Sequence, residues 1–363
     1  MFPGTRWLAV AAVALGVVSA PLVPRLLPAT SSDITAMQLT ERIRTSGSVG
    51  WSGEVRAQGR LNVPISASQF GGIARLFGEQ TDLRVWWRAS DEWRIDRLRT
   101  TGETDLVRDG GLAVRWNYED TKATFTPWSN VRLPDDLDVV PSTLARRLLA
   151  GAVPDELSRL PARRIAGTSV PGLRLVPRDT RSTIHRVDIW ADARTGVPLQ
   201  VKVYADPANL VLTTTLSSLT LKQPARAATD YVLSPTLKLS RGFALDEAAG
   251  ANAFAPFDLP GSLVHLQRRG AAEDFGAVGV YGEGPTSMLV LPVRDFVGTA
   301  LAKQLRRSAN SRESGSGVAL EVGPISVLLV RVPVGSFLLT GTIDPADLER
   351  ASAELLRTVV RTR

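Results

Sequence analysis

Tryptophan and arginine are concentrated in one short stretch of this sequence. They alternate in the stretch DLRVWWRASDEWRIDRL, residues 82–98, which holds three tryptophans and four arginines. An indole buries a large apolar surface, and a guanidinium stacks on an indole face or pairs with an anion. Such a stretch suits the core of a sheet, the wall of a ligand cavity or a platform for nucleic acid.

Familiar catalytic and metal-binding patterns are absent from the sequence. It contains no nucleophile elbow, no Ser-x-x-Lys, no His-Glu-x-x-His and no cysteine. The two histidines, His185 and His265, lie in alternating apolar stretches, which predict strand residues rather than metal ligands. Asp135, Asp136 and Asp138 fall in a proline-bounded loop, where we expect solvated carboxylates. We therefore expect no catalytic residue, no metal, no cofactor and no enzymatic activity.

The charge pattern disfavours a nucleic-acid partner. The chain has 43 Lys and Arg against 36 Asp and Glu, a formal net charge of +7, which suits polyanions such as DNA or anionic lipid. The basic residues recur singly or in pairs such as Arg146-Arg147, with no run that would follow a phosphate backbone. Hydrophobic residues make up 44% of the 363 residues, which predicts a folded chain of two domains.

Residues 1–32 predict an export signal or a membrane anchor. A single arginine precedes an apolar run from Trp7 to Val23, which proline and serine follow. Small residues up to Ala20 suit cleavage, but Pro21 directly after the cut favours an uncleaved anchor. We expect the rest of the chain outside the cytoplasmic membrane, in the cell envelope.

From residue 51 onward the apolar positions alternate with a period of two, which predicts strands. Short turn-like separators such as Ser90-Asp91 join only antiparallel neighbours. Helices are predicted from a cap at Ser32 or Asp33 and at 142–151 and 154–160. The predicted strands of this one large curved sheet are 51–60, 82–89, 92–100, 104–109, 112–118, 122–126, 172–176, 184–191, 198–204 and 210–221.

Both faces of this sheet carry aromatic residues, so two interpretations stay open. The tryptophans either form a core with a cation–π surface, or one set of them lines a ligand cavity. A helical turn between the first two strands, with an apolar stripe, either closes that cavity as a lid or plugs the sheet. The candidate wall and lid residues are Trp51, Phe70, Ile73, Phe77, Trp87 and Trp116, and the candidates for an acidic headgroup are Arg84 and Arg88.

A set of aromatic and turn residues resembles the lipoprotein-carrier fold. The set consists of the strand opening Trp51-Ser52-Gly53-Glu54-Val55 behind a helix, then Trp86-Trp87 and Asp91-Glu92-Trp93-Arg94-Ile95-Asp96. That family includes the LolA and LolB carriers and the periplasmic sigma-E regulators RseB and MucB, and the chain is most similar to actinobacterial relatives of the regulators. Over residues 34 to about 243 the resemblance implies an eleven-stranded half-open β-barrel, plugged by helices, whose interior takes acyl chains of lipoproteins or related lipids.

The C-terminal part predicts a smaller α+β domain. Its expected strands lie at 262–268, 275–281, 287–292, 325–332 and 336–342, and its helices at 296–306 and from Pro345, with Asp344 as N-cap. Residues 308–320 are expected to form a mobile hairpin loop between core elements. The predicted division is 1–32 signal or anchor, 33–243 half-barrel, 244–256 linker and 257–363 C-terminal domain.

The resemblance and the two-domain length imply a regulatory role. The half-barrel of an extracytoplasmic sensor would bind an acyl chain, a lipoprotein or an apolar peptide, and the second domain would contact an anti-sigma factor or another membrane partner. The alternative is a carrier for lipoprotein or lipid transport across the envelope. A third interpretation is a scaffold whose barrel is filled by its own side chains.

Overall fold

The computed structural model describes residues 29, 32–61, 71–100, 102–128, 132, 134–231, 238–241, 257–270, 277–315, 317–332 and 335–361. They form an α+β fold with a twelve-stranded sheet, a six-stranded sheet and two two-stranded ribbons. Within these residues, none of the helices has the length and apolar character needed to cross a bilayer.

The larger sheet is open and almost entirely antiparallel. Its order is β12-β6-β5-β4-β3-β2-β1-β11-β10-β9-β8-β7, and β12 alone pairs in parallel, with β6. Because β12 and β7 remain edges, the predicted half-open sheet is confirmed. Its strands are β1 Trp51–Gly59, β2 Gln80–Ala89, β3 Glu92–Arg99, β4 Gly102–Asp109, β5 Leu112–Asn117, β6 Lys122–Pro127, β7 Leu157–Ile165, β8 Thr168–Leu175, β9 Arg186–Ala191, β10 Pro198–Tyr204, β11 Leu210–Thr220 and β12 Lys238–Arg241.

The helices of this part of the chain lie on both faces of the larger sheet. They are α1 Ala36–Thr45, α2 Gly71–Gly78, α3 Pro141–Leu148 and α4 Arg226–Thr229. Helix α1 packs on β7 and β8, and α3 packs on β10 and β11; we call the face they cover the inner face. Helix α4 lies against β2, β3 and β4 on the opposite, outer face, where the chain crosses from β11 to β12.

Three local predictions in this region are wrong. Residues 154–160 begin a strand after a single 3₁₀ turn, because the backbone of β7 pairs with β8. Helix α1 is capped by Thr35 rather than by Ser32 or Asp33, since Thr35 and Gln38 form a reciprocal capping box. His185 precedes β9 and is exposed, so it is not a strand residue.

The smaller sheet has the order β16-β17-β21-β20-β19-β18. Helix α6 covers one face, and its predicted cap is confirmed, since Asp344 accepts a hydrogen bond from Ala346 N with Pro345 in the first turn. The elements of this part are β13 Phe257–Asp258, β14 Ser262–Leu263, β15 Leu266–Gln267, β16 Gly279–Glu283, β17 Thr286–Val293, α5 Asp295–Leu305, β18 Ser311–Ser314, β19 Gly317–Val322, β20 Ile325–Val332, β21 Gly335–Gly341, α6 Pro345–Thr358 and β22 Val360–Arg361.

Two segments next to the smaller sheet have more backbone pairing than predicted. Residues 262–268 form a tight hairpin of β14 and β15 rather than one strand, and Val264 and the exposed His265 take positive φ angles at its turn. In the expected hairpin loop at 308–320 the backbone is paired, since the edge strand β18 pairs with β19. In both places short backbone pairings between neighbours replace the simpler element that the side-chain pattern suggested.

The two sheets are joined by backbone contacts and by a shared core. Thr183 N donates to Thr342 O at 3.1 Å, and Asp344 N donates to Arg181 O at 2.7 Å. At a second contact, a Cβ on Gly323 would lie 2.3 Å from Leu61 Cδ2, so the β19–β20 turn packs tightly on the end of β1. One apolar cluster continues from the inner face into the smaller sheet.

Candidate functional site on the inner face

A ladder of tryptophans crosses the inner face. Trp51, Trp87 and Trp93 are direct neighbours across β1, β2 and β3. The ring centroids of Trp51 and Trp87 lie 6.3 Å apart and those of Trp87 and Trp93 lie 6.2 Å apart, with planes within 10° of parallel. Their exposed fractions are 0%, 1% and 0%. Cross-strand pairing of rigid rings thus builds one continuous apolar wall.

Helix α3 places an arginine over this tryptophan ladder. The Arg146 guanidinium carbon lies 5.1 Å from the centroid of the Trp87 ring. Burial lowers the pKa of Arg146 to about 10, so the side chain is still charged at neutral pH. Its Nη1 is buried and has no hydrogen-bond partner among the described residues. A cation held this way is unfavourable unless an anion or another acceptor joins it.

Other buried polar atoms near α3 and the ladder also have no partner within the described part of the chain. They are Trp51 Nε1, Trp93 Nε1, Ser142 Oγ and Thr143 Oγ1. By contrast, Trp87 Nε1 donates to Gly47 O at 2.8 Å. Indole and guanidinium nitrogens only donate, and each buried group left unpaired costs roughly 1–3 kcal/mol. The arrangement fits an apolar guest that ends in a hydrogen-bond acceptor such as a carboxylate, a phosphate or an ester.

The three aspartates expected in solvent are partly or fully buried instead. Asp136 and Asp138 are 2% and 9% exposed. Asp136 pairs with Arg97, and Arg132 Nη1 lies 3.0 Å from Asp135 Oδ1 and 2.8 Å from Asp138 Oδ2. Burial raises the pKa of Asp135 to about 6. This network anchors the 3₁₀ turn at Asp136–Val139 beside the ladder, and the prediction of a solvated loop is wrong because the sequence does not show which arginines face it.

The structure brings some of the predicted wall and lid residues together. Trp51 and Trp87 stack, and Phe77 of α2 is half-buried against the same apolar core. Helix α2 packs against the end of β1, where Phe77 O accepts a hydrogen bond from Leu61 N at 2.9 Å. Phe70 lies outside the described residues, and Ile73 lies in α2 with its side chain outside them.

The remaining predicted residues lie on the other face. Trp116 stacks on Tyr118 on the outer face, with ring centroids 5.0 Å apart. Arg84 is exposed there, and Arg88 Nε pairs with Glu92 at 2.7 Å. These residues therefore do not share a surface with the Trp51–Trp87 wall.

Sequence reasoning missed the residue with the most unusual environment on the inner face. Arg146 stands beside Arg147, which is exposed and lies 3.2 Å from Asp138. From the sequence alone, both arginines are expected to be solvated cations. The helical period offered a signal, because two adjacent positions point about 100° apart on a helix and one of them turns toward the sheet.

Comparison with known proteins finds similarity among solved structures. No model of a protein family and no curated protein matches the chain. The chain is similar to the crystal structure of MucB, with 14% identity, a TM-score of 0.49, and coverage of 90% of this chain and 98% of that chain. The Pseudomonas aeruginosa MucA/MucB complex gives 15% identity and a TM-score of 0.49, with coverage of 90% and 99%.

A LolA superfamily protein from Nitrosomonas europaea is also similar, with 12% identity and a TM-score of 0.27 over 55% of this chain and 98% of that chain. The architecture itself is that of an open, helix-plugged antiparallel sheet followed by a smaller α+β unit.

Proposed function

We propose that the protein is a non-catalytic, extracytoplasmic regulatory protein that binds an acyl chain, a lipoprotein or an apolar peptide on its inner face. The observation that carries this proposal is the tryptophan ladder with its unpaired donors, above all Arg146. Burying apolar ligand surface against the indoles contributes about 25 cal/mol per Å². An acidic or ester end of the ligand would accept hydrogen bonds from Arg146.

Ligand entry requires the inner face to open. The ladder residues are at most 1% exposed, so a chain reaches them only when helices that cover this face move away. A ligand that binds the open arrangement more tightly than the closed one shifts the protein toward the open arrangement. In the open state a bound ligand can accept hydrogen bonds from the buried donors, which have no partner among the described residues in the closed state.

The contact between the sheets offers a route from this opening to a partner. Helix α2 bonds to Leu61, and Leu61 packs against Gly323 of the smaller sheet. We propose that movement of α2 alters this contact and thereby the surface with which residues 257–363 meet an anti-sigma factor or another membrane protein. The proposed half-barrel and C-terminal domains are residues 33–243 and 257–363. The proposed linker at 244–256 lies outside the described residues, as does the proposed signal or anchor at 1–32 apart from Ala29 and Ser32.

The test is native mass spectrometry of the exported protein, followed by denaturation to release bound lipid. We expect a stoichiometric acyl species in the unaltered protein and in Arg147→Met. In Arg146→Met, which removes the charge over the ladder and keeps an apolar stem, we expect at least a tenfold lower occupancy. Circular dichroism and thermal melting confirm that each variant is folded.

An unaltered protein that is empty, and that also fails to bind added lipopeptide, would favour the scaffold interpretation. Equal occupancy in both arginine variants would remove the role assigned to Arg146. Sensor and carrier are separated by the mature amino terminus, because a tethered sensor begins at Met1 and a carrier near Ala20 or Ala29.

A further inference from the structure

A second candidate binding site lies on the outer face of the larger sheet. A cavity of about 240 Å³ opens between β3, β4 and β5 and the segment that crosses from β11 to β12. The proposed acyl site does not use it, because the tryptophan ladder faces the other way. The side chains that give this outer pocket its chemistry are Arg94, Asp105, Trp116, Tyr118, Asp230 and Tyr231.

Aromatic rings form the walls of the outer pocket. Trp116 and Tyr118 stack with their planes 16° apart. Tyr231, from the crossing segment, packs edge-on against Phe125 at 5.5 Å and adds a ring from the opposite side. Aromatic faces grouped around a small cavity attract cations through their quadrupoles, and organic ammonium groups above all.

When its carboxyl groups are ionised, the outer pocket carries more negative than positive charge. Arg94 Nε lies 2.6 Å from Asp96 Oδ1, and Arg94 Nη2 lies 2.7 Å from Asp105 Oδ2. Both carboxylates are 3% exposed, so one guanidinium faces two buried acids. Glu103 has a carboxylate oxygen within 4.8 Å of theirs, and Asp230 lines the pocket.

Two polar atoms of the outer pocket have no partner in the described part of the chain. Asp105 Oδ1 and Trp116 Nε1 are buried without a hydrogen bond. Asp105 Oδ2 is already satisfied, since Arg94 and Tyr118 donate to it, the latter at 3.1 Å. The free oxygen, Oδ1, belongs to a residue that is only 2% exposed. A buried acceptor of this kind calls for a donor that the described residues do not supply.

We propose that the outer pocket binds a small organic ammonium group, with Asp105 as its charged partner and Trp116, Tyr118 and Tyr231 as its aromatic walls. Asp96, Glu103 and Asp105 are close enough together to hold a metal ion. However, the guanidinium of Arg94 already lies between Asp96 and Asp105, and aromatic rings are not ligands for hard metal cations. The surroundings therefore favour an alkylated cation.

The first experiment is calorimetric titration of the full exported protein with choline and with butylamine. Calcium chloride, magnesium chloride and 3,3-dimethylbutanol, the uncharged analogue of choline, serve as comparison ligands. We expect the two ammonium compounds to bind at least tenfold more tightly than the alcohol. Equal affinity for the alcohol, binding of the metal ions alone, or no binding of either ammonium compound would overturn the proposal.

Substitutions locate the binding. We expect Trp116→Leu and Asp105→Asn each to weaken ammonium binding at least tenfold. The matched control is Asp188→Asn, because Asp188 is also a buried aspartate, 4% exposed, that pairs with an arginine at 2.7 Å elsewhere on the sheet. An unchanged affinity in both pocket variants, or an equal loss in the control, would refute the assignment.

The source of the ammonium group is resolved by three probes. Free choline, vesicles of phosphatidylcholine and a peptide with one lysine present the same chemistry in a small molecule, a lipid surface and a protein. Tight binding of one probe identifies the source, and failure of all three overturns the proposal. Because Arg146 lies on the other face, Arg146→Met is expected to leave ammonium binding unchanged, so this site and the acyl site can fail separately.

Discussion

The two faces of the larger sheet use the same residue types in opposite ways. On the inner face three indoles pack on one another, and Arg146 lies over Trp87 with no carboxylate of the described residues paired to it. On the outer face Arg94 lies between two aspartates, and Trp116 borders an open cavity. The same two residue types therefore accompany a closed surface where the arginine lacks a described anion, and a cavity that is already formed where the arginine is paired.

The largest expected difference between the faces concerns two adjacent tryptophans. Trp87 is 1% exposed in the ladder, whereas Trp86 is half-buried on the outer face under Arg94. Trp87→Ala is expected to lower the free energy of unfolding by about 3–5 kcal/mol. Trp86→Ala is expected to cost about 1–2 kcal/mol, because most of that ring surface is not in a closed core. Urea unfolding measures both, and equal losses would end the distinction between the faces.

The same substitution of an arginine is expected to act with opposite sign on the two faces. Arg94→Met leaves Asp96 and Asp105 buried without their cation and is expected to lower the free energy of unfolding by about 3–5 kcal/mol. Arg146→Met removes a charge that has no described anion beside it and is expected to be neutral or to stabilise by about 1 kcal/mol. Chemical denaturation of the ligand-free protein tests this, and a large loss in Arg146→Met would reveal an acceptor in the remainder of the chain.

A smaller effect is expected in the pH dependence of stability. Burial, followed by the charge of Asp96, raises the pKa of Asp105 from its ordinary 3.8 to about 7. Between about pH 4 and pH 7 the folded protein therefore holds a proton that the unfolded chain has released. The contribution of Asp105 to the free energy of unfolding is fully present below about pH 4 and is lost as the pH rises through 7. The charged and titratable groups that face Asp105 are Arg94, Asp96, Glu103, Tyr118 and Asp230.

Asp105→Asn isolates this contribution. The amide stays neutral, so the decrease in stability from pH 4 to 7 is expected to be smaller by on the order of 1–3 kcal/mol. Asp135 on the inner face, with its pKa raised to about 6, has the same sign and remains in the variant. Urea unfolding at several pH values measures the slope, and an unchanged slope would exclude Asp105 as its source.

The strands were predictable because their side chains alternate and their turns are short. The segment 198–204 and the segment 325–332 match β10 and β20 in full. The alternation also predicts that Trp86 and Trp87 lie on opposite faces. It fails at 154–160, where apolar residues recur without a regular period and only the backbone pairing with β8 makes a strand.

The candidate site was less predictable because faces must be followed from strand to strand. Trp116 pairs across β4 and β5 with Asp105, and Asp105 pairs with Asp96 on β3, which puts Trp116 opposite the ladder. Counting residues through the turns would assign each side chain to a face if every hairpin were regular. However, a bulge between Trp87 and Ala89 shifts the register of the β2–β3 hairpin, so the count from Trp87 assigns the wrong face. The position of Arg146 depends on contacts far apart in the chain, which periodicity does not encode.

The parallel pairing of β12 with β6 has a consequence for the order of folding. The tryptophan ladder arises from β1, β2 and β3, of which β2 and β3 are joined by a tight turn. The outer pocket instead needs Tyr231, which reaches its place only after the chain has completed β11 and crossed the sheet. Bringing Tyr231 to β4 and β5 closes a loop of more than one hundred residues, which costs more entropy and is slower than forming a hairpin. We therefore expect the inner wall to form before the outer pocket, which is complete only when the whole meander has been assembled.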